Sequence, residues 1–213
     1  MKWSDNVLYL DNHLLIAVKP AGLLTQPDDT GASSFQEELK QWVKEREHKP
    51  GNVFLHPIHR LDRQTSGLVI FAKSSKALSR LNEKMREGTI ERVYGAEVEG
   101  RLDAEEGRLD HYLVHDDHIA RLAKEGDKDA KKARLVYQVI KRLPHSTFVR
   151  VSLETGRYHQ IRAQFSFIGH PVVGDKRYGA LQAHDAIHLH CQRIAFEHPV
   201  TKELVEVESP LPF

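Results

Sequence analysis

The order of short apolar segments along the chain is the feature that most constrains its fold. Some segments have the length and alternation of β-strands, and fewer have the apolar spacing of amphipathic helices. The strands are predicted at 7–10, 14–19, 68–73, 89–100, 111–115, 135–143, 147–154, 187–196 and 204–207. Because several strands follow one another through short turns, the pattern predicts an α+β fold with a large, mostly antiparallel sheet. A doubly wound parallel sheet would instead alternate strands and helices regularly.

Three segments have helical spacing and recognisable ends. They are predicted at 34–48, 74–88 and 158–168. The first begins with Ser34 and Glu37, the residue types of a capping box. The second ends at Gly88, because glycine readily adopts the left-handed conformation that terminates a helix. These helices are expected to lie against the sheet.

Charge is distributed unevenly along the chain, although the net charge is only +1. Residues 121–150 carry nine Lys or Arg against three acids, and residues 60–92 carry eight against four. Residues 95–119 carry eight acids against two basic residues. Such segregation is compatible with one basic face for a polyanion, or with charges that alternate and cancel around the surface. Residues 101–130 are interpreted as loops around one short strand, with a mobile tip at 126–132.

Length and cysteine content restrict the class of protein. The chain has 213 residues, and we predict one domain over 1–213. It has one cysteine, Cys191, so an intrachain disulfide is excluded, and we interpret Cys191 as a packing residue. No apolar run approaches the ~18 residues of a membrane span, and the start lacks the pattern of a secretory signal. We therefore predict a cytoplasmic protein that does not enter a membrane.

The polar stretch at 56–67 (HPIHRLDRQTSG) precedes the apolar strand at 68–73 directly. It places Asp62 between Arg60 and Arg63, and it ends in a Thr-Ser-Gly sequence that suits a tight loop. Loops held by a core strand commonly carry chemistry. From residue types alone, a surface turn with a solvated ion pair is the favoured interpretation.

Residues 59–67 (HRLDRQTSG) resemble the H-R-L-D-x-x-T-S-G signature of the RluA-type family of RNA pseudouridine synthases. Further family-like blocks occur in the expected order. They are LLIAVKPAGLL at 14–24, ERVYGAEV at 91–98, TGRYHQIRAQ at 155–164, GHPVVGDKRYG at 169–179 and HLHCQRIAFEHPVT at 188–201. The resemblance spans nearly the whole chain and implies the pseudouridine synthase fold, with a central catalytic cleft. Because the family-like blocks begin close to residue 1, we expect no small RNA-binding module in front of them, although many relatives carry one.

The resemblance implies roles for individual residues. Asp62 would be the catalytic carboxylate, because isomerising a uridine requires the base to leave the ribose and rejoin through carbon 5. Arg162 would be its ion-pair partner, and Tyr94 would stack on the extruded base. Arg60 would occupy the space that the flipped nucleotide leaves. The other residues predicted to bind RNA are His59, Arg63, Thr65, Arg157, His159, Gln160 and Ile161.

Each of these residues also has an ordinary structural interpretation. Arg162 could be a surface helix residue, Tyr94 a packing residue, and Arg60 an ion-pair partner of Asp62. Gly95, beside Tyr94, is expected to leave room for a close ligand. Three residues depart from the family pattern. The family more often has Thr, His and Thr where this chain has Tyr158, Gln164 and Leu135. These departures concern local substrate contacts and not the chemistry.

We predict neither a metal nor another cofactor. The histidines at 56, 59, 188 and 190 have suggestive spacings but lack a plausible set of three or four ligands. The predicted partner is structured RNA, a stem-loop of ribosomal or transfer RNA, without an obligate protein partner, and the protein is predicted to be a monomer. A non-catalytic RNA-binding or assembly factor is the alternative. A carboxylate glycosidase would need a second paired acid, for which the sequence offers no convincing candidate.

Overall fold

The structure, a computed structural model, describes residues 3–182 and 184–213. The chain divides into two compact units. The first comprises Met1–Glu91 and Cys191–Pro210, and the second comprises Arg92–His190 and Leu211–Phe213. The assignment of one domain to the whole chain stays a prediction. Among the described residues, no helix is both long enough and apolar enough to cross a membrane.

The described strands and helices alternate irregularly, as the α+β prediction requires. In chain order they are β1 Val7–Leu10, β2 Leu14–Lys19, α1 Phe35–Arg46, β3 His56–Pro57, β4 Ser66–Ala72, α2 Ser75–Glu87, β5 Glu91–Glu99, β6 Glu106–Asp116, β7 Ile119–Ala123, β8 Lys131–Arg142, β9 Ser146–Leu153, α3 Gln160–Phe167, β10 Leu189–Glu197 and β11 Leu204–Glu208. Short 3-10 turns occur at Trp3–Asp5 and Lys176–Tyr178.

The first unit is built around β4, whose residues are all buried. Its strands follow the order β1-β2-β4-β10, with β3 also paired to β4 and β11 paired to β10. The pairs β1–β2, β2–β4, β3–β4 and β10–β11 are antiparallel. The β2–β4 register sets Lys19 opposite Gly67, so the end of β2 lies beside the loop that enters β4.

Helices α1 and α2 follow the predicted segments, and their sequences explain their ends. The Ser34 hydroxyl accepts a hydrogen bond from the Glu37 backbone N–H at the start of α1. Gly88 ends α2 with a φ of 72°. Helix α1 buries Phe35, whose ring makes an edge contact with Phe71 of β4. This packing covers part of the central strand.

The second unit is an antiparallel arrangement in the order β5-β9-β8-β6-β7. Helix α3 contacts β6 and β7. A small buried cluster joins them, formed by Leu113, Ala120, Ala133 and Ala163. The small side chains allow the helix to lie close to the strands.

Three predictions about the second unit are wrong. Residues 101–130 do not form loops around one short strand, because they contain the long strand β6 and its partner β7. Helix α3 begins at Gln160, and not at Tyr158, because His159 has a φ of 50°, outside the helical region. Strand β8 begins at Lys131, so the tip predicted at 126–132 is shorter than expected.

Candidate active site

Asp62 lies in a turn that is anchored on both sides. The preceding residue, Leu61, is buried, and its backbone N–H and carbonyl both bind the hydroxyl of Thr25, at 3.1 and 2.8 Å. The carbonyl of Asp62 accepts a hydrogen bond from the Thr65 N–H at 3.0 Å. Strand β4 starts at the next residue. Asp62, which is half-buried, is therefore held on rigid supports.

Gly67 allows the loop to enter β4 at close range. Its φ is +119°, and a Cβ atom there would lie 2.3 Å from the Cys191 nitrogen and 2.5 Å from the Cys191 oxygen. Real side chains do not tolerate such contacts with backbone. The glycine of the Thr-Ser-Gly sequence is thus required for packing against the backbone of β10. Cys191 itself is fully buried, which confirms its interpretation as a packing residue.

Lys19 is a buried cation in the same unit as Asp62, and no sequence pattern predicted a role for it. Its Nζ donates to the carbonyls of Pro20, Leu23 and Arg63 at 2.9, 2.8 and 3.2 Å. Burial lowers the pKa of Lys19 to about 7, while the negative charge of Asp62 acts in the opposite direction. The lysine is therefore electrostatically coupled to the predicted catalytic carboxylate.

The predicted RNA-binding residues of the first unit differ in exposure. Arg60 and Arg63 are exposed, and Arg63 Nε donates to the Gly22 carbonyl at 2.9 Å. His59 and Thr65 are buried. Within the described residues, the Thr65 hydroxyl is buried and has no hydrogen-bond partner. Contact of these four residues with RNA stays a prediction.

Arg162 lies on α3 and forms a buried ion pair with Asp175. Its Nε and Nη2 donate to the two carboxylate oxygens of Asp175 at 2.6 and 2.9 Å. The guanidinium also lies over the ring of Tyr178, 5.0 Å from the ring centroid. Arg162 is only 4% exposed, so the interpretation as a surface helix residue is wrong. Asp175 belongs to the block at 169–179, but no role was predicted for it.

Gln160 and Ile161 are buried supports of the loop before α3. The Gln160 Oε1 accepts from the Thr155 hydroxyl and the Arg157 N–H at 2.7 and 2.9 Å, and its Nε2 donates to the Arg134 carbonyl at 3.0 Å. Ile161 is 5% exposed and belongs to the core. Contact of Gln160 and Ile161 with RNA stays a prediction.

His159 and Arg157 flank the exposed Tyr158. Burial is the main reason that the pKa of His159 falls to about 3, and the positive charge of Arg162 lowers it further. His159 is therefore neutral near pH 7. Arg157 is exposed, and its Nε donates to the Lys132 carbonyl at 2.9 Å.

Tyr94 lies on β5 and is 5% exposed. The space beside Gly95 does not serve a ligand, contrary to the prediction. A Cβ atom on Gly95 would lie 2.4 Å from the Leu211 Cδ2, so the side chain of Leu211 fills that space. Tyr94 and Gly95 are successive strand residues, so the Tyr94 side chain lies on the opposite face of the strand from the space that Leu211 fills.

The predicted catalytic residues belong to both units. Asp62 lies in the first, whereas Tyr94 and Arg162 lie in the second. The ion pair between Asp62 and Arg162 stays a prediction. Among the described residues, no group of three or more His, Cys, Asp or Glu side chains could hold a metal ion.

Comparison with known proteins identifies relatives over the full length of the chain. Residues 13–167 match the family model described as RNA pseudouridylate synthase. The chain is 34% identical over 212 residues to the dual-specificity RNA pseudouridine synthase RluA of Pasteurella multocida, covering 98% of this chain and 94% of the relative. It is 32% identical over 223 residues to the ribosomal large subunit pseudouridine synthase C of Escherichia coli, covering 98% and 67%.

A solved structure supports the same fold. Human RNA pseudouridylate synthase domain containing 4 superposes with a TM-score of 0.82, at 24% identity, covering 99% of this chain and 90% of the other. At that identity the likeness concerns the fold alone. Together with the irregular order of strands and helices, it confirms the predicted α+β fold class.

Proposed function

Because the chain belongs to the RluA-type family of RNA pseudouridine synthases, we propose that Asp62 carries the isomerisation of uridine to pseudouridine in RNA. The observation that carries this assignment is the anchored, half-buried carboxylate beside a buried lysine. The turn fixes Asp62 through Leu61 and Thr65, and the negative charge of Asp62 interacts electrostatically with Lys19. An ionised and oriented carboxylate is what nucleophilic attack requires.

The reaction moves one bond and one proton. The bond between the ribose C1′ and the base N1 breaks, the base rotates, and a new bond joins C1′ to C5. The C5 proton is lost, and N1 is protonated, so the overall change is an isomerisation. We assign Asp62 as the nucleophile that holds the reacting fragment between these steps.

Arg162 has the capacity to hold Asp62 as well as Asp175. The guanidinium of an arginine presents five N–H donors in a fixed fork, so one arginine can bind two carboxylates at once. A second carboxylate could therefore share the same cation, and we propose that it is Asp62. Pairing with a cation keeps a carboxylate ionised in a site that excludes water.

Tyr94 and Arg60 are proposed to handle the nucleotide itself. A uridine in structured RNA must leave the stack before its C5 can react, at a cost of a few kcal/mol. We propose that the Tyr94 ring stacks on the extruded base, and that the exposed Arg60 fills the vacated space. Arginine suits that place because its planar cation both stacks and donates hydrogen bonds.

The proposed substrate is a stem-loop of ribosomal or transfer RNA. One relative is described as a dual-specificity enzyme and another as acting on the large ribosomal subunit, and both descriptions concern RNA. We propose that this protein acts in the cytoplasm as a monomer, without an obligate protein partner.

The test compares Asp62→Asn with Asp103→Asn, a matched change at an exposed surface carboxylate. Each variant is expressed in cells that lack the native protein, and pseudouridines in total RNA are mapped. The wild type and Asp103→Asn are expected to produce the same modified sites, and Asp62→Asn is expected to produce none of them. A folded Asp62→Asn variant that still forms pseudouridine would refute the assignment. Wild-type protein that binds RNA but modifies none would support the RNA-binding factor instead.

A further inference from the structure

Three rings form a column on the second unit. The rings of Tyr158 and His159 are stacked, with centroids 3.8 Å apart and planes 19° apart. The ring of His115, near the end of β6, lies 4.2 Å from that of Tyr158 (centroid to centroid), and its plane is tilted by 47° to the Tyr158 ring. His159 is buried at the inner end, Tyr158 is 39% exposed, and His115 is exposed at the outer end. The column thus runs from the core to the surface.

Hydrogen bonds fix the column in place. His159 Nδ1 shares a hydrogen bond with the Tyr178 hydroxyl at 2.9 Å, and the same hydroxyl accepts from the Ala120 N–H at 2.7 Å. The Tyr158 hydroxyl donates to the His118 carbonyl at 3.4 Å. The column is therefore tied to the β6–β7 turn and is preorganised for stacking, since a ligand would not have to order it.

Two exposed arginines neighbour the column, Arg177 through a shared hydrogen-bond acceptor and Arg157 through its position in the chain. Arg177 is exposed, and its Nη1 donates to the His118 carbonyl, the same oxygen that Tyr158 binds. Arg157 precedes Tyr158 in the chain and is also exposed. Two exposed carboxylates are nearby: Asp116 pairs with Arg121 at 2.9 Å, and Asp117 lies 3.4 Å from His118 Nε2, which offsets the Asp117 charge only when the imidazole is protonated. Arg177 and Arg157 are the positive charges that this surface offers to a phosphate backbone.

We propose that this column is a stacking site for an unpaired nucleobase of the RNA, distinct from the uridine that is modified. The base stacks at the His115 end, and Arg177 and Arg157 contact the adjoining phosphates. Flat rings beside arginines form the usual platform for single-stranded nucleic acid, because every base has a face that can stack. The proposal rests on RNA being the substrate, as proposed above, and it adds a second point of recognition for the same RNA.

The test separates stacking from phosphate attraction by using two RNA probes. One is a fluorescein-labelled oligoadenylate of about twelve nucleotides, and the other has the same length but abasic riboses. The variants are His115→Ala and Tyr158→Ala, with Tyr158→Phe to keep the ring. His118→Ala is the matched control, because its exposed side chain lies outside the column. Affinities are measured by fluorescence anisotropy after circular dichroism has shown that each variant is folded.

The expected pattern is specific to stacking. His115→Ala and Tyr158→Ala weaken binding of the oligoadenylate about tenfold and leave binding of the abasic probe unchanged. Tyr158→Phe and His118→Ala bind both probes as the wild type does. Arg177→Ala weakens binding of both probes and reduces the dependence of affinity on salt.

Two results would overturn the proposal. The first is that His115→Ala and Tyr158→Ala bind the oligoadenylate with wild-type affinity. The second is that these variants lose affinity for both probes by the same factor. The outcome is independent of catalysis, because Asp62→Asn is expected to show the same preference for the oligoadenylate as the wild type. A protein that prefers the probe with bases but forms no pseudouridine would refute the proposed catalysis and retain the stacking site.

Discussion

Arg162 and Asp175 form a two-point ion pair inside the second unit, with both N–H···O distances below 3 Å. Their side chains are 5% and 2% exposed. A charge removed from water to this extent requires its partner, because neither ion can recover hydration if the other is lost. Asp175 therefore determines how the guanidinium of Arg162 is oriented, and Arg162 is the residue proposed to serve the catalytic carboxylate.

Asp175→Asn is expected to lower the free energy of unfolding by about 3 kcal/mol, because it removes the carboxylate charge that holds the buried guanidinium of Arg162 at two points. Urea unfolding followed by circular dichroism measures this loss. The matched control is Asp110→Asn, since Asp110 lies 3.8 Å from Lys132 in a pair whose side chains are 41% and 45% exposed. That change should alter stability by less than about 0.5 kcal/mol. Equal stability of the two variants would contradict the importance assigned to the buried pair.

Gly67→Ala is expected to prevent folding or to lower the free energy of unfolding by more than about 4 kcal/mol. The new Cβ would overlap the backbone of Cys191, and the φ of +119° is unfavourable for alanine. Yield of folded protein and urea unfolding measure the effect.

Substitutions at two other glycines distinguish the cost of the Cβ overlap with Cys191 from the cost of the positive φ. Gly22 has a φ of +87° but open space around it, so Gly22→Ala should cost about 1–2 kcal/mol. Gly51 has open space and no positive φ, so Gly51→Ala should be nearly neutral. If Gly67→Ala is no worse than Gly22→Ala, the close approach to Cys191 has no energetic importance.

The sequence predicts the elements whose patterns are local. Strand β4 is one example, since a continuous apolar run bounded by polar residues is typical of a buried strand. Helix α2 is another, because its apolar stripe and Gly88 both lie within one short segment. Asp62 was found through a signature that is contiguous in sequence.

The rest depends on tertiary contacts that no local pattern contains. Strand β6 was largely missed because few of its residues, among them Leu109 and Leu113, are buried, so the alternation is weak. Lys19 and Asp175 were missed because charged residues are rarely buried, and their burial becomes visible only with their partners in place. For Lys19, the sequence offers one indication of burial, because this lysine ends the otherwise apolar segment at 14–19.

Lys19 is expected to make stability rise between pH 7 and about 10, because its pKa in the folded protein, about 7, lies below the value of 10.5 in the unfolded chain. Over that range the unfolded state binds more protons, so deprotonation favours folding. Lys19→Met should remove this gain. Urea unfolding at pH 7 and at about pH 9.5 measures the difference between variant and wild type.

Lys76→Met is the control for Lys19→Met, because Lys76 is exposed on α2. It should retain the gain in stability that the wild type shows. A Lys19→Met variant whose stability rises as steeply as that of the wild type would show that Lys19 does not titrate in this range.

His190 is expected to make the protein sensitive to acid. It is 2% exposed, and burial lowers its pKa from 6.5 to about 4. Its contribution to stability is therefore present above about pH 6.5 and is lost as the pH falls towards 4, because the unfolded chain then binds the proton more readily. His190→Gln should flatten this decline by up to about 1 kcal/mol per pH unit.

The loss of stability in acid is measured by urea unfolding between about pH 6.5 and pH 4.5. In this range the protonation of His190 differs most between the folded and unfolded states. Some decline should persist in His190→Gln, because His159 also has a lowered pKa, of about 3, and acts with the same sign. His118→Gln is the control, since the His118 side chain is 78% exposed. The stability of His118→Gln should fall with pH as that of the wild type does. If His190→Gln and His118→Gln decline equally, protonation of His190 is not what acid acts on.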